Sequence, residues 1–158
     1  MVMELQINQE APAFSLPNQD NAEISLWDFR GSFVVLYFYP KDKTPGCTTE
    51  ACDFRDSMES LRALNVVILG VSPDSVKSHQ SFIEKESLNF TLLSDSEKKV
   101  LKSYGAWGVK KLYGKEYEGV IRSTFIIDPQ GKIAFFWKNV KVKGHVQAVQ
   151  EKLRELGA

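Results

Sequence analysis

Two stretches of the chain, Phe33-Val-Val-Leu-Tyr-Phe-Tyr39 and Asn65-Val-Val-Ile-Leu-Gly-Val71, are apolar almost without interruption, with no alternation of polar and apolar positions. Runs that are apolar toward both sides predict central strands covered on both faces by helices. Between them Ala51, Phe54, Met58 and Leu61 recur at steps of three and four, the spacing of a helix with one core-facing stripe. Strand, helix and strand therefore follow in order.

A second helix is expected after Ser72-Pro73-Asp74-Ser75, running through Phe82 and Ile83, then a short strand near Thr91 to Leu93 and a short helix over Glu97 to Ser103. The segments Arg122-Ser-Thr-Phe-Ile-Ile127 and Ile133-Ala-Phe-Phe-Trp137 flank Asp128-Pro-Gln-Gly131, whose Asp, Pro and Gly occupy favoured positions of a type I turn, so they read as a β-hairpin. Val146, Val149 and Leu153 place a last helix from about His145 to Leu156. The stretch between Ala106 and Gly119, with three glycines and no clear period, reads as an ordered loop. Alternating strands and helices with a late hairpin predict an α/β fold with a central mixed sheet.

No repeat, low-complexity tract or linker composition divides the 158 residues, and a chain of this length buries a continuous core without staples, so one domain is expected over residues 1–158. Hydrophobic residues at 43% and charged residues at 25% exclude a disordered or collagen-like chain. Twenty Lys and Arg balance twenty Asp and Glu, which removes the positive field that supplies most nucleic-acid affinity. The first residues, Met1 to Asn8, show neither a basic leader nor a long apolar stretch, and Phe33 to Tyr39 is too short to span a bilayer. No membrane association and a cytoplasmic location are expected.

Cys47 and Cys52 are the two cysteines, too few for a disulfide-built scaffold, which leaves thiol chemistry or buried packing. They lie where the first apolar run leads into the helix, Tyr39-Pro-Lys-Asp-Lys-Thr-Pro-Gly-Cys-Thr-Thr-Glu-Ala-Cys52, the sheet edge at which α/β folds form sites. Thr44 and Pro45 resemble an N-cap and first helical residue, putting Cys47 in the first turn, where unpaired N–H groups and the helix dipole favour a thiolate, the nucleophilic form of cysteine. The stripe extended backward from Ala51 lands on Cys47, whereas Cys52 lies off it. In an unbroken helix their Cα atoms would be roughly 8.6 Å apart, beyond the roughly 7 Å that a disulfide tolerates, so bridging them requires local unwinding. Two thiols with no neighbouring His or Cys leave too few ligands for a closed zinc site, and His79 and His145 read as surface or helix-end residues.

Pro40-x-x-x-Thr44-x-x-Cys47 resembles the peroxiredoxin active-site motif, and the longer string through Cys52 is similar to the peroxiredoxin Q, or bacterioferritin comigratory protein, subfamily. The similarity extends through Ala11-Pro-Ala-Phe-Ser-Leu-Pro17, Gly70-Val-Ser-Pro-Asp74, Arg122-Ser-Thr-Phe-Ile-Ile-Asp128 and Gly144-His145, nearly the whole chain. Departures are mild: Asn8-Gln9-Glu10 precedes Ala11-Pro12 where a glycine is usual, Asn21 stands where a turn glycine is common, and Lys43 occupies a variable motif position.

The resemblance implies a thioredoxin-like fold and a thiol peroxidase. By it Cys47 is the peroxidatic cysteine, Thr44 offers its hydroxyl to the bound peroxide, Pro40 shields the sulfenic acid from water, and Cys52 resolves it. Arg122 matches the arginine that stabilises the thiolate and polarises the peroxide, and Glu50 pairs with it. Hydroperoxide is then the substrate, and thioredoxin or a similar dithiol protein the reductant. No metal, haem or flavin is implied, and the protein is expected to act as a monomer or weak dimer. Two other readings use the same cysteines: a general disulfide oxidoreductase, disfavoured by Cys-x4-Cys in place of Cys-x-x-Cys, and a redox switch without turnover.

Overall fold

The computed structural model describes residues 5–158, so Met1 to Glu4, part of the stretch read above as lacking a leader, lie outside the described residues. A short antiparallel pair, β1 (Ser15–Pro17) and β2 (Glu23–Ser25), precedes a 3-10 turn at Leu26–Phe29. Then come β3 (Phe33–Phe38), α1 (Pro45–Ala63), β4 (Val66–Ser72), α2 (Val76–Glu86), β5 (Thr91–Ser94) and α3 (Lys99–Ser103). The chain continues through β6 (Trp107–Leu112), β7 (Lys115–Val120), β8 (Ser123–Ile127), β9 (Ile133–Trp137) and α4 (His145–Glu155).

The central sheet runs β5-β4-β3-β8-β9, with β3, β4 and β5 parallel and β8 and β9 antiparallel. This is a mixed sheet, and β3 lies at its centre. The unbroken apolar run of β3 is explained by its two faces. Val34, Leu36 and Phe38 point into a core with α3 residues Val100 and Leu101, Leu26 of the 3-10 turn and Phe14. Val35 and Tyr37, with Tyr39 just beyond, point into the other core, built from α1, Phe82 of α2 and Val146, Val149 and Leu153 of α4.

Helix α1 buries the predicted stripe: Cys47, Ala51, Phe54, Met58 and Leu61, with Glu50 beside it. Phe54 stacks on Tyr37 at 4.8 Å, and full burial of such a ring contributes about 1.5–3 kcal/mol. Tyr37 in turn needs a glycine opposite: a Cβ on Gly70 would lie 2.9 Å from the Tyr37 hydroxyl oxygen. Asn65, in the left-handed conformation, ends α1, and the Ser75 hydroxyl accepts from Ser78 N to begin α2. At the predicted turn, Gly131 has φ +86° and donates to Asp128 O, while Asp128 Oδ1 accepts from the N–H groups of Gln130 and Lys132.

The stretch read as a loop between Ala106 and Gly119 is instead the β6–β7 hairpin, closed by Tyr113 and Gly114, both at positive φ. Two left-handed residues match the right-handed twist of a two-residue hairpin. The pattern hid it because Val109, Tyr113 and Tyr117 are solvent-exposed, so neither face needs to be consistently apolar. The β1–β2 pair was likewise unread, being only three residues per strand. No helix among the described residues is long and apolar enough to cross a membrane.

Candidate active site

The chain leaves β3 at its carboxyl end, turns through residues 39–44 and enters α1 at Pro45. Thr44 is the N-cap by position, yet its hydroxyl donates to Lys41 O at 2.8 Å and caps no helical N–H. The expected side-chain cap is therefore absent: the hydroxyl closes the 41–44 turn instead. Pro45 has no N–H to satisfy, and the remaining first-turn donors of α1 face the start of the helix, where an anion is favoured. Cys47 lies in that turn, 1% exposed, and both it and Cys52 are free thiols.

Arg122 lies immediately before β8, not on the strand, and its carbonyl is held by Val140 N at 2.9 Å. Because β8 pairs with β3, this junction lies alongside the strand that feeds α1. The guanidinium spans two groups: Nη2 donates to Cys47 Sγ at 3.1 Å and Nη1 donates to Glu50 Oε1 at 2.6 Å. A planar fork with several fixed donors can hold both at once, which an ammonium cannot do in the same way. Gly46 leaves room for it, since a Cβ there would sit 3.4 Å from Arg122 Nη2.

Glu50 is fully buried and its Oε2 has no hydrogen-bond partner. Burial pushes its carboxyl up to about 7, against the downward pull of Arg122 and with a small upward push from Asp53. One guanidinium thus serves two groups that can be anionic, a carboxyl and a thiol. Protonation of Glu50 leaves more of the Arg122 charge to the sulfur.

His145 and Thr124 complete this side, and the sequence had given neither a part. His145 Nε2 lies 2.8 Å from Thr124 Oγ1, and the ring stands edge-on to Trp137 at 5.3 Å. Burial, aided by the Arg122 charge, pushes the imidazole down to about 4, so it is neutral at physiological pH. His145 does begin a helix as expected. The signal for its setting was Thr124, which with Ser123 makes two hydroxyl residues beside three apolar ones on the buried strand β8.

His79 corrects the sequence reading outright, for it is fully buried in α2. Its Nδ1 lies 2.8 Å from Asp42 Oδ2 and its Nε2 2.9 Å from Leu93 O. Asp42 also accepts from Tyr39 through Oδ1 and from Ser78 through Oδ2, while Asp74 Oδ2 accepts from Asp42 N and Ser72 Oγ. Asp42, Asp74 and His79 converge as metal ligands would. Both oxygens of Asp42 and both nitrogens of His79 are already engaged in hydrogen bonds, so the cluster suits a structural network better than a cation.

Pro40 follows β3 and Tyr39, half-buried at the start of the 40–44 turn, and Thr44 is likewise half-buried. Cys52 projects away from the Arg122 side, toward α2, where its Sγ donates to Glu86 Oε2 at 3.6 Å. The structure thus brings together Cys47, Arg122 and Glu50, sets Pro40 and Thr44 on the turn leading to Cys47, and leaves Cys52 on another face of the same helix.

The AhpC/TSA family profile matches residues 7–136. Peroxiredoxin Bcp of Bacillus subtilis is 49% identical over 154 residues, covering 98% of this chain and 98% of that protein. Peroxiredoxin Bcp of Escherichia coli is 46% identical over 145 residues, covering 92% of this chain and 93% of its own length. Among solved structures, the bacterioferritin comigratory protein of Xanthomonas campestris, a protein with alkyl peroxide reduction activity, superposes with a TM-score of 0.90 at 37% identity, covering 97% of this chain and 100% of that one. PrxQ of Xylella fastidiosa superposes with a TM-score of 0.93 at 36% identity, covering 99% of each chain.

Proposed function

The chain belongs to the AhpC/TSA family, in its peroxiredoxin Bcp branch, and from that membership we propose that Cys47 is the peroxidatic cysteine of a thiol peroxidase with Cys52 as its resolving partner. The fold is the thioredoxin-like fold of peroxiredoxins and the protein is an oxidoreductase. The observation that supports the assignment of Cys47 is its 3.1 Å contact with the Arg122 guanidinium in the first turn of α1. A half-buried cation and a helix N-terminus both favour a thiolate over a thiol.

In this reading the Cys47 thiolate attacks the distal oxygen of a hydroperoxide. A sulfur–oxygen bond forms, the peroxide O–O bond breaks, and the leaving oxygen takes a proton and departs as water or an alcohol. Arg122 stabilises the thiolate and then the charge developing on the peroxide oxygens. Thr44, on the turn before α1, offers a hydroxyl to the bound peroxide once it turns from Lys41 O, and Pro40 covers the sulfur from bulk water. Sulfur ends as a sulfenic acid, which Cys52 condenses with to give an intramolecular disulfide and water. Thioredoxin or a similar dithiol protein then reduces the bridge.

The enzyme so read is one domain over residues 1–158, a monomer or weak dimer, acting in the cytoplasm on hydrogen peroxide and organic hydroperoxides. A coupled assay with thioredoxin, thioredoxin reductase and NADPH tests it. Sustained NADPH oxidation that requires both peroxide and thioredoxin is expected. Disulfide reduction without peroxide turnover would instead favour a general oxidoreductase, and a single oxidation event without turnover a redox switch.

A further inference from the structure

The peroxide chemistry makes no use of the polar contact of Cys52. Cys52 is one turn beyond the Arg122 side of α1, and its Sγ donates to Oε2 of Glu86, the last residue of α2. The same residue is gripped a second time, since Arg55 Nη1 donates to Glu86 O at 2.6 Å. Asn89 Nδ2 donates back to Arg55 O at 3.2 Å, and Arg62 Nη2 donates to Asn89 O at 2.7 Å. From Cys52 onward α1 is thus fastened to the end of α2 and the loop after it, whereas its first two turns are fastened to Arg122 through Cys47 and Glu50.

We propose that Glu86 is a positioning residue that restrains Cys52 in the reduced protein and thereby slows resolution of the Cys47 sulfenic acid. This rests on the reading of Cys47 and Cys52 as the reacting pair. In resolution the Cys52 sulfur attacks the Cys47 sulfur, the S–S bond forms, the S–O bond breaks, and the departing hydroxide is protonated to water. Cys52 gives up its own proton in the process, so sulfur and oxygen balance with no further oxidant.

Two features of Glu86 oppose this step. Its hydrogen bond must break before Cys52 can move toward Cys47, because a regular helix keeps the two sulfurs on different faces. Its charge also disfavours the attacking thiolate. Burial is the main upward push on the Cys52 thiol, Arg55 pulls it down, and the Glu86 charge, the Glu86 hydrogen bond and Asp56 add to the rise. Arg55 and Asp56 of α1 and Glu86 of α2 are the charged groups facing this sulfur. A restrained Cys52 lengthens the life of the sulfenic acid, during which a second peroxide can carry Cys47 to the sulfinic acid.

Glu86→Gln keeps the size of the side chain and removes its charge. Reduced protein is mixed with hydrogen peroxide, quenched at millisecond intervals with a thiol-blocking reagent, and the states of Cys47 and Cys52 are read by mass. Sulfenic acid formation, proportional to peroxide, should be unchanged. The peroxide-independent formation of the bridge should be faster by about five-fold, the scale of one ordinary net hydrogen bond, and its pH midpoint should fall. Less sulfinic acid should accumulate at high peroxide. Glu84→Gln, an exposed change on the same helix, should alter none of these. A bridge that forms at the same rate in wild type and E86Q overturns the proposal, and a slower one overturns it in favour of Glu86 as the base that activates Cys52. If oxidised wild-type protein shows no Cys47–Cys52 bridge, the underlying pair assignment fails and takes the proposal with it.

Discussion

His79 Nδ1 lies 2.8 Å from Asp42 Oδ2 with both side chains buried, and this pair ties the turn before α1 to α2. The Leu93 carbonyl can only accept, so His79 Nε2 carries the hydrogen directed at it, while Nδ1 faces the Asp42 carboxylate. Replacing His79 by Gln leaves Asp42 without its main partner in a dry site. The expected loss of stability is about 3 kcal/mol, read from the urea midpoint. A loss below about 1 kcal/mol would mean that Tyr39 and Ser78 suffice to hold Asp42.

Arg122→Lys should slow peroxide attack while the fold stays intact. Lys keeps the charge but cannot address Glu50 and Cys47 through one planar fork. A drop of about 10- to 100-fold, equal to about 1.4–2.8 kcal/mol of barrier, is expected in the second-order rate with hydrogen peroxide. An unchanged rate, with unchanged circular dichroism, would reduce Arg122 to a structural partner of Glu50.

How much of this was legible depends on what each feature had to do for the core. The β3 run, the α1 stripe and the Asp128–Gly131 turn are written in residue types, because burial on one or two faces and a positive φ leave little choice. Cys47 on the stripe and Cys52 off it could be read for the same reason. The β6–β7 hairpin could not, since a solvated ribbon places no periodic demand on its side chains. Nor could the burial of His79: its partners Asp42 and Leu93 lie 37 and 14 residues away, and only the folded chain brings them to its two nitrogens. The same holds for the full burial of Glu50 against Arg122, a partner 72 residues away.

Cys47→Ser should abolish peroxide turnover. A serine hydroxyl is not ionised at neutral pH, and neither the helix start nor Arg122 can make it so. Turnover near the wild-type level in the coupled assay would overturn the assignment of the nucleophile.

The buried Glu50 makes stability depend on pH in a stated direction. Its carboxyl is raised from an ordinary 4.5 to about 7, mainly by burial. Between those values the folded protein holds a proton that the unfolded chain has released, so this group's stabilising contribution is full below pH 4.5 and is lost as pH rises through about 7. Glu50→Gln removes the titration. The stability of the variant relative to wild type should therefore increase from pH 5 to pH 7.5, as followed by urea unfolding under reducing conditions. A flat difference across that range would mean that Arg122 keeps the carboxylate ionised throughout.

Joining Cys47 to Cys52 should melt the first turns of α1. Both cysteines lie on that helix in the reduced protein, Cys47 facing the core and Cys52 facing Glu86. Five residues of helix hold their Cα atoms farther apart than a disulfide permits, so one or both must leave the helix. The contacts given up are the Arg122 bond to Cys47 and the bond from Cys52 to Glu86. Beyond them, the bonds of Arg55, Asn89 and Arg62 fasten the rest of the helix to the end of α2. Unwinding should therefore run from the N-terminal turn to about Arg55 and stop there. Hydrogen exchange should become faster over Thr48 to Arg55 in peroxide-treated protein and remain slow from Met58 onward, because locally opened helix exchanges without global unfolding. The same opening would bring the bridge out to a protein reductant, which a Cys47 that is 1% exposed in the reduced form does not allow. Equal protection across Thr48 to Arg55 in reduced and bridged protein, with the intramolecular bond verified by mass, would rule this opening out.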